Sequence, residues 1–165
     1  MIKNNIRRES YLKFLNTWKN RDLIKVLSGV RRSGKSTLLA MFQQDLKEQG
    51  VQDENIIAIN FEYMEFEELT DYRKLHDYVL SKVDKNKKNY VFLDEIQHVQ
   101  NFEKVVDSLY IRDYIDLYIT GSNAFFLSGE LATLLTGRYI EQHVLPLSFQ
   151  EFKQWHTENN PTIQQ

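Results

Sequence analysis

Two spacings of apolar residues alternate along the chain, and each switch marks an element. "SYLKFLNTWK" sets Tyr11, Leu12, Leu15 and Trp18 at helical spacing. "LIKVLSG" is a short apolar run ending in Gly29, as in a strand. "KSTLLAMFQQDLKEQG" puts Leu38, Leu39, Phe42 and Leu46 on one side of a helix that Gly50 stops. "IIAINF" predicts a second strand, and "TDYRKLHDYVLSKV" a helix with Thr70 as its N-cap. Beyond the charged connector "KNKKN", "YVFLDE" predicts a third strand and "NFEKVVDSLYIRDY" a helix. "DLYITGSN" follows as a fourth strand, "LSGELATLLTG" as a helix, and "RYIEQHVLPLS" as a last strand ending at Pro146. Strands alternating with helices predict an α/β fold, its parallel sheet covered on both faces. The stretch after about His156 is polar and expected to fray.

Composition narrows the class. With 165 residues, 42% of them hydrophobic, the chain suffices for one folded domain. Its formal net charge of −2 argues against coating nucleic acid through bulk charge. No cysteine is present, which excludes disulfides and thiolate metal sites and suits a reducing cytoplasm. No apolar run approaches a membrane span, and "MIKNNIRRESYLKFL" lacks the apolar stretch of a secretory signal. The expectation is a soluble, cytoplasmic protein with no membrane partner.

The chemistry concentrates after the first strand. Gly29-Val30-Arg31-Arg32-Ser33-Gly34-Lys35-Ser36 matches G-x-x-x-x-G-K-[ST], and Thr37 continues into the helix. The two glycines permit backbone angles and approaches that a Cβ blocks. The loop's N–H groups then form a cradle for anionic oxygens, and the helix dipole points at the same place. Lys35 reaches the β- and γ-phosphates, and the Ser36 hydroxyl is offered to Mg²⁺. The alternative is a chance match in a strand-to-helix turn; the context the motif requires, a strand before and a helix after, is predicted here. Arg31 and Arg32 lie in the variable part, where phosphate contact and plain solvation weigh equally.

A phosphate loop needs a metal holder. Asp94 and Glu95 end the apolar run "YVFL", and ligands of open α/β sheets bind at the carboxyl ends of strands. Asp94 is the candidate for Mg²⁺, directly or through water, and Glu95 the candidate general base. A bland alternative is an acidic cap for the next helix; the loop tips the balance to the metal. Ser122 and Asn123, past the fourth strand, are candidates to touch the attacking water or γ-phosphate, although Ser122 suits an N-cap equally. Arg138 follows a glycine after a helix and is a candidate arginine finger acting in trans in a homo-oligomer, with an ordinary surface ion pair as the even alternative. His76, His98, His143 and His156 have no metal-ligand spacing.

GTP is disfavoured. No glycine stands two positions after Glu95, and "NKKN" lacks the aspartate of a guanine reader. No arginine-rich lid of a small-molecule kinase is evident. The glutamate beside the metal aspartate favours water as acceptor. The strand "IIAINF" is expected to lie between the loop strand and the metal strand, as in the ATPase branch of phosphate-loop proteins.

The blocks "LIKVLSGVRRSGKSTLL", "INFEYMEFEEL", "YVFLDEIQHVQNFEKVVDSL" and "LYITGSNAFFLSGELATLLTGRYIEQHVLPLSFQEF" together resemble bacterial and archaeal AAA-superfamily ATPases whose ATPase module precedes an uncharacterised C-terminal domain. The resemblance covers nearly all of residues 6 to 153. It implies a three-layer αβα phosphate-loop fold with a mostly parallel five-stranded sheet. It also implies phosphates on Gly29 to Ser36, metal and water on Asp94 and Glu95, a sensor at Ser122 or Asn123, and a finger at Arg138. Residues 1–155 are then the ATPase domain and 156–165 a polar tail. Family members continue further, so the expectation is an N-terminal fragment or a short relative. The expected function is Mg-dependent binding and hydrolysis of ATP. The alternative is a nucleotide-gated switch of little turnover that recruits protein or DNA.

Overall fold

The computed structural model describes residues 6–126 and 130–159. Leu127–Gly129, at the predicted start of one helix, and residues 160–165 of the predicted tail lie outside the described residues.

Five strands make one sheet: β1 (Ile24–Gly29), β2 (Ile56–Asn60), β3 (Asn89–Asp94), β4 (Ile115–Ser122) and β5 (Tyr139–His143). All pair in parallel, in the order β2-β3-β4-β1-β5. The helices are α1 (Glu9–Trp18), α2 (Lys35–Glu48), α3 (Tyr72–Lys82), α4 (Phe102–Tyr110), α5 (Asn123–Phe126), α6 (Glu130–Leu135) and α7 (Phe149–Asn159). The parallel ladder forces a crossover between strands, and the crossovers cover both faces.

Side chains alternate along each strand, so each face builds its own core. On one face, Val26, Val91, Leu93, Leu117 and Ile119 meet Leu75 and Val79 of α3 and Val105, Val106 and Leu109 of α4. On the other, Leu27, Phe92 and Tyr118 meet Leu12 and Leu15 of α1 and Leu38, Leu39, Phe42 and Leu46 of α2. The Phe92 and Tyr118 rings stack at 4.8 Å between centroids, and Phe42 packs edge-on against Phe92. This is the expected three-layer αβα arrangement.

Two expectations are corrected. "IIAINF" does not lie between the loop strand and the metal strand. It forms β2 at the sheet edge, bonded to β3. β4 occupies the central place, paired with β1 on one side and β3 on the other. Its eight residues are buried except for Ser122, whereas β2 is half exposed, so burial favours β4 at the centre. The N-cap of α3 is Asp71, not Thr70. Asp71 accepts from the N–H of Arg73 at 2.9 Å and of Lys74 at 3.2 Å. The Thr70 hydroxyl instead donates to the Glu67 carbonyl, closing the preceding 3-10 turn.

A charged pair lies inside the second core. Lys25 is fully buried, its ammonium bonding Asp116 and, at 2.7 Å, the Arg21 carbonyl. Asp116 also accepts from the Tyr118 hydroxyl at 2.7 Å and the Asn20 N–H at 2.9 Å. Every lone pair used this way offsets desolvation that an isolated buried charge would incur. The network ties the turn after α1 to the amino ends of the sheet.

Candidate functional site: a phosphate loop facing paired carboxylates

The carboxyl ends of β1, β3 and β4 lie side by side, and the loop Gly29–Gly34 rises from β1 into α2. A Cβ on Gly29 would meet the Val144 carbonyl oxygen at 2.5 Å and the Ser33 hydroxyl at 2.8 Å. Only glycine fits this approach to the chain leaving β5. Gly34 has φ +96° and caps α2, a conformation that L side chains avoid.

Lys35 opens α2 and is buried. Its ammonium donates to the carbonyls of Gly29 at 2.8 Å and Val30 at 2.9 Å, and lies 3.9 Å from the Glu95 carboxylate. Burial lowers its pKa, against the opposing pull of Glu95, Asp94 and Glu62. The next side chain, the Ser36 hydroxyl, faces the Asp94 carboxylate and favours its charged form. So the hydroxyl and the carboxylate that sequence assigned to one metal stand together.

Thr120, missed in the sequence, joins the two carboxylate residues. Its hydroxyl donates to Asp94 and accepts from the Glu95 N–H at 2.9 Å. The register explains this: Leu93 pairs with Ile119, which sets Thr120 beside Asp94 on the same face. A signal was available, since Thr120 is a polar residue at an inward position of an apolar strand. Glu95 itself holds φ 62° and ψ 53°, a left-handed conformation that costs a non-glycine residue roughly 1–2 kcal/mol. The Thr120 bond helps to hold it. Gln97, also missed, donates its amide to the second Glu95 oxygen.

The remaining predicted residues scatter more widely. Arg31 is exposed and turns to Glu62 at 3.3 Å. Arg32 takes φ 64° at the loop tip. Together with Thr37, Glu62 and Glu95 they line a cleft of about 400 Å³. Beside it, Ile6, Arg8, Ser33, Thr37, Leu38 and Leu147 border a smaller recess of about 100 Å³. Ser122 stands opposite Gly29 in the β1–β4 register, and Asn123 begins α5. Arg138 is elsewhere: it precedes β5 at the amino ends of the strands, on a groove of about 500 Å³. There its guanidinium lies 5.8 Å from the Tyr110 ring centroid.

Burial is the main cause holding Asp94 above the usual carboxylate range; the bonds from Ser36 and Thr120 pull the other way without cancelling it. An acid whose folded pKa is raised costs nothing below its unfolded pKa. The cost sets in as pH rises through the folded value. Asp94→Asn is therefore expected to raise Tm at pH 8, with the gain vanishing near pH 4. Each 1 kcal/mol corresponds to roughly 2–4 °C in a domain of this size. Melting curves across pH check this; a variant less stable than the parent at pH 8 contradicts it.

A strand-loop-helix phosphate cradle facing an aspartate-glutamate pair across a parallel sheet defines the phosphate-loop class of α/β domains. Residues 21–153 match the AAA domain family, and the chain belongs to it. It is 47% identical over 153 residues to an uncharacterised protein of Haemophilus influenzae, covering 92% of this chain and 38% of that protein. It is 40% identical over 134 residues to an uncharacterised protein of Methanocaldococcus jannaschii, covering 78% of this chain and 28% of that one. The chain thus spans well under half the length of these relatives. In fold it is similar to AMPPCP-bound DnaA from Aquifex aeolicus, with TM-score 0.60 and 15% identity over 99% of this chain and 55% of that one. It is also similar to the Aeropyrum pernix ORC1 protein in complex with DNA, with TM-score 0.62 and 12% identity over 95% of this chain and 50% of that one. Among the described residues no helix is long and apolar enough to cross a membrane.

Proposed function

We propose that this AAA domain binds Mg-ATP and hydrolyses it. The observation that carries the reading is the convergence at one strand edge: Lys35 within 3.9 Å of Glu95, Ser36 facing Asp94, and Thr120 joining the two acidic residues. The loop from Gly29 to Ser36 cradles the phosphates, with Thr37 behind them, and Lys35 supplies a point charge to the β- and γ-oxygens. Ser36 and Asp94 fit Mg²⁺, because a buried carboxylate already touching a hydroxyl is a hard oxygen pair that a cation compensates. Bound there, Mg²⁺ supplies neutralisation of phosphate charge. Glu95 orients and deprotonates the attacking water, held in place by Thr120. Ser122 or Asn123, beside Gly29, senses the γ-phosphate. The apolar edges of the small recess, Ile6, Leu38 and Leu147, take the base.

Arg138 acts in trans. Ile24 pairs with Tyr139 at one end of β1 and Gly29 ends the other, five steps of about 3.3 Å each, or roughly 16 Å. The finger therefore serves a neighbouring copy in a homo-oligomer. The setting is the cytoplasm, with protein or DNA as the partner that uses the cycle.

Turnover per chain is expected to rise with protein concentration, and Arg138→Ala to lose about 10³-fold or more in kcat. ATP is expected to bind in preference to GTP. Turnover independent of concentration and insensitive to Arg138→Ala removes the trans role. A second reading, the nucleotide-gated switch of little turnover, draws on Gln97. Its amide occupies one Glu95 oxygen while Lys35 lies near the other, so the base is engaged on both sides. Tight ATP binding without turnover at any concentration selects that reading.

A further inference from the structure

Arg8 immediately precedes α1 and is the one arginine among the described residues that is buried. Its guanidinium has two ends. One nitrogen donates to the Ser33 carbonyl of the phosphate loop at 3.1 Å. Another donates to the Glu151 carboxylate of α7 at 2.8 Å. The ring of Tyr11 lies beneath it, 4.6 Å from centroid to guanidinium carbon. A planar fork with several fixed donors suits such a bridge, whereas a lysine offers a single point charge.

Glu151 is no incidental surface partner. Its other oxygen accepts from the Ser148 N–H at 3.1 Å, and its own N–H donates to the Ser148 hydroxyl at 3.1 Å. That reciprocal pair is the capping box of α7. Anything that moves Glu151 therefore moves the first turn of the helix. Burial opposes ionisation of Glu151, but the Ser148 bonds and Arg8 outweigh it and hold its carboxyl below the ordinary value. None of the described side chains of α7 is buried, and Phe149 and Phe152 are exposed. The strand-to-helix linker is pinned on the same side, through the Leu145 N–H donating to the Tyr11 hydroxyl at 3.1 Å.

On the loop's inner side, the Lys35 ammonium holds the Gly29 and Val30 carbonyls. A triphosphate that draws this ammonium toward its own oxygens frees those carbonyls and changes the loop's shape. We propose that Arg8 is a positioning residue that reads this change at Ser33 and carries it to α7 through Glu151, so that nucleotide occupancy sets where the helix sits. The inference rests on the loop holding a nucleoside triphosphate.

Two measurements test it. Hydrogen exchange without nucleotide asks whether the ends are coupled. Glu151→Gln is expected to raise exchange at residues 30–34, over a hundred positions away in sequence. Arg8→Ala is expected to raise it at both 30–34 and 149–158, with Arg8→Lys failing to restore both. Unchanged exchange at 30–34 in Glu151→Gln overturns the coupling. The second uses Trp155 fluorescence in a Trp18→Phe background, with Mg-AMPPCP as probe. Binding is expected to shift Trp155 emission, and Glu151→Gln to abolish the shift while Kd stays within about threefold. A shift that persists in Glu151→Gln overturns the proposal. Absence of AMPPCP binding to the parent instead refutes the nucleotide reading, and the exchange arm still decides whether loop and helix are joined.

Discussion

Lys35→Ala is expected to weaken Mg-ATP binding by at least about 100-fold. Lys35 is 3% exposed, and the partners of its ammonium are carbonyls that a phosphate oxygen can replace. Hydrogen bonds to a charged group contribute roughly 1.5–3 kcal/mol each, and two of them to the β- and γ-oxygens reach about 3 kcal/mol or more. Each 1.4 kcal/mol is tenfold in affinity. Alanine also leaves Glu95 without the cation 3.9 Å away, so the triphosphate meets an uncompensated carboxylate. The loss is thus a missing attraction and an exposed repulsion together. Isothermal titration with Mg-ATP reads the affinity, and a melting curve of the same sample confirms the fold. Affinity within threefold of the parent, in a folded variant, sinks the assignment of this loop.

Glu95→Gln is expected to separate binding from chemistry. Glutamine keeps the shape and can still accept from the Gln97 amide and, through its backbone, bond Thr120. It removes one negative charge beside the γ-phosphate site, so ATP affinity holds or tightens. It also removes the basic oxygen, and general-base catalysis contributes about 10²–10⁴-fold. Single-turnover hydrolysis should fall by that factor while titration gives an unchanged or lower Kd. Hydrolysis at the parental rate would sink the role of Glu95. A parallel loss of binding would place Glu95 with Lys35 in holding the substrate.

Much of the site was legible because its residues are consecutive. Gly29 to Ser36 is one turn, and its glycines and lysine are demanded by local geometry: a 2.5 Å approach at Gly29 and a left-handed φ at Gly34. Asp94 and Glu95 were legible as acids ending an apolar strand. Thr120 and Arg8 were not, because their roles depend on partners far along the chain. Thr120 matters through Asp94, 26 residues away, and Arg8 through Glu151, 143 away. Nothing local marks an arginine before a helix as the bridge between a loop and a distant capping box.

By itself the sequence determined the elements, their α/β alternation and the phosphate cradle, since hydrophobic period and turn chemistry act over a few residues. Tertiary structure alone decided the strand order. A period-2 apolar run does not say which neighbours it takes, and so β4, not β2, came to separate β1 from β3. It also decided that Lys25 turns inward to Asp116, because a buried charge is tolerated only where its counter-charge and hydrogen bonds arrive from other strands. And it set Arg138 at the far end of the sheet from Lys35, a separation that parallel strands impose between residues before and after them.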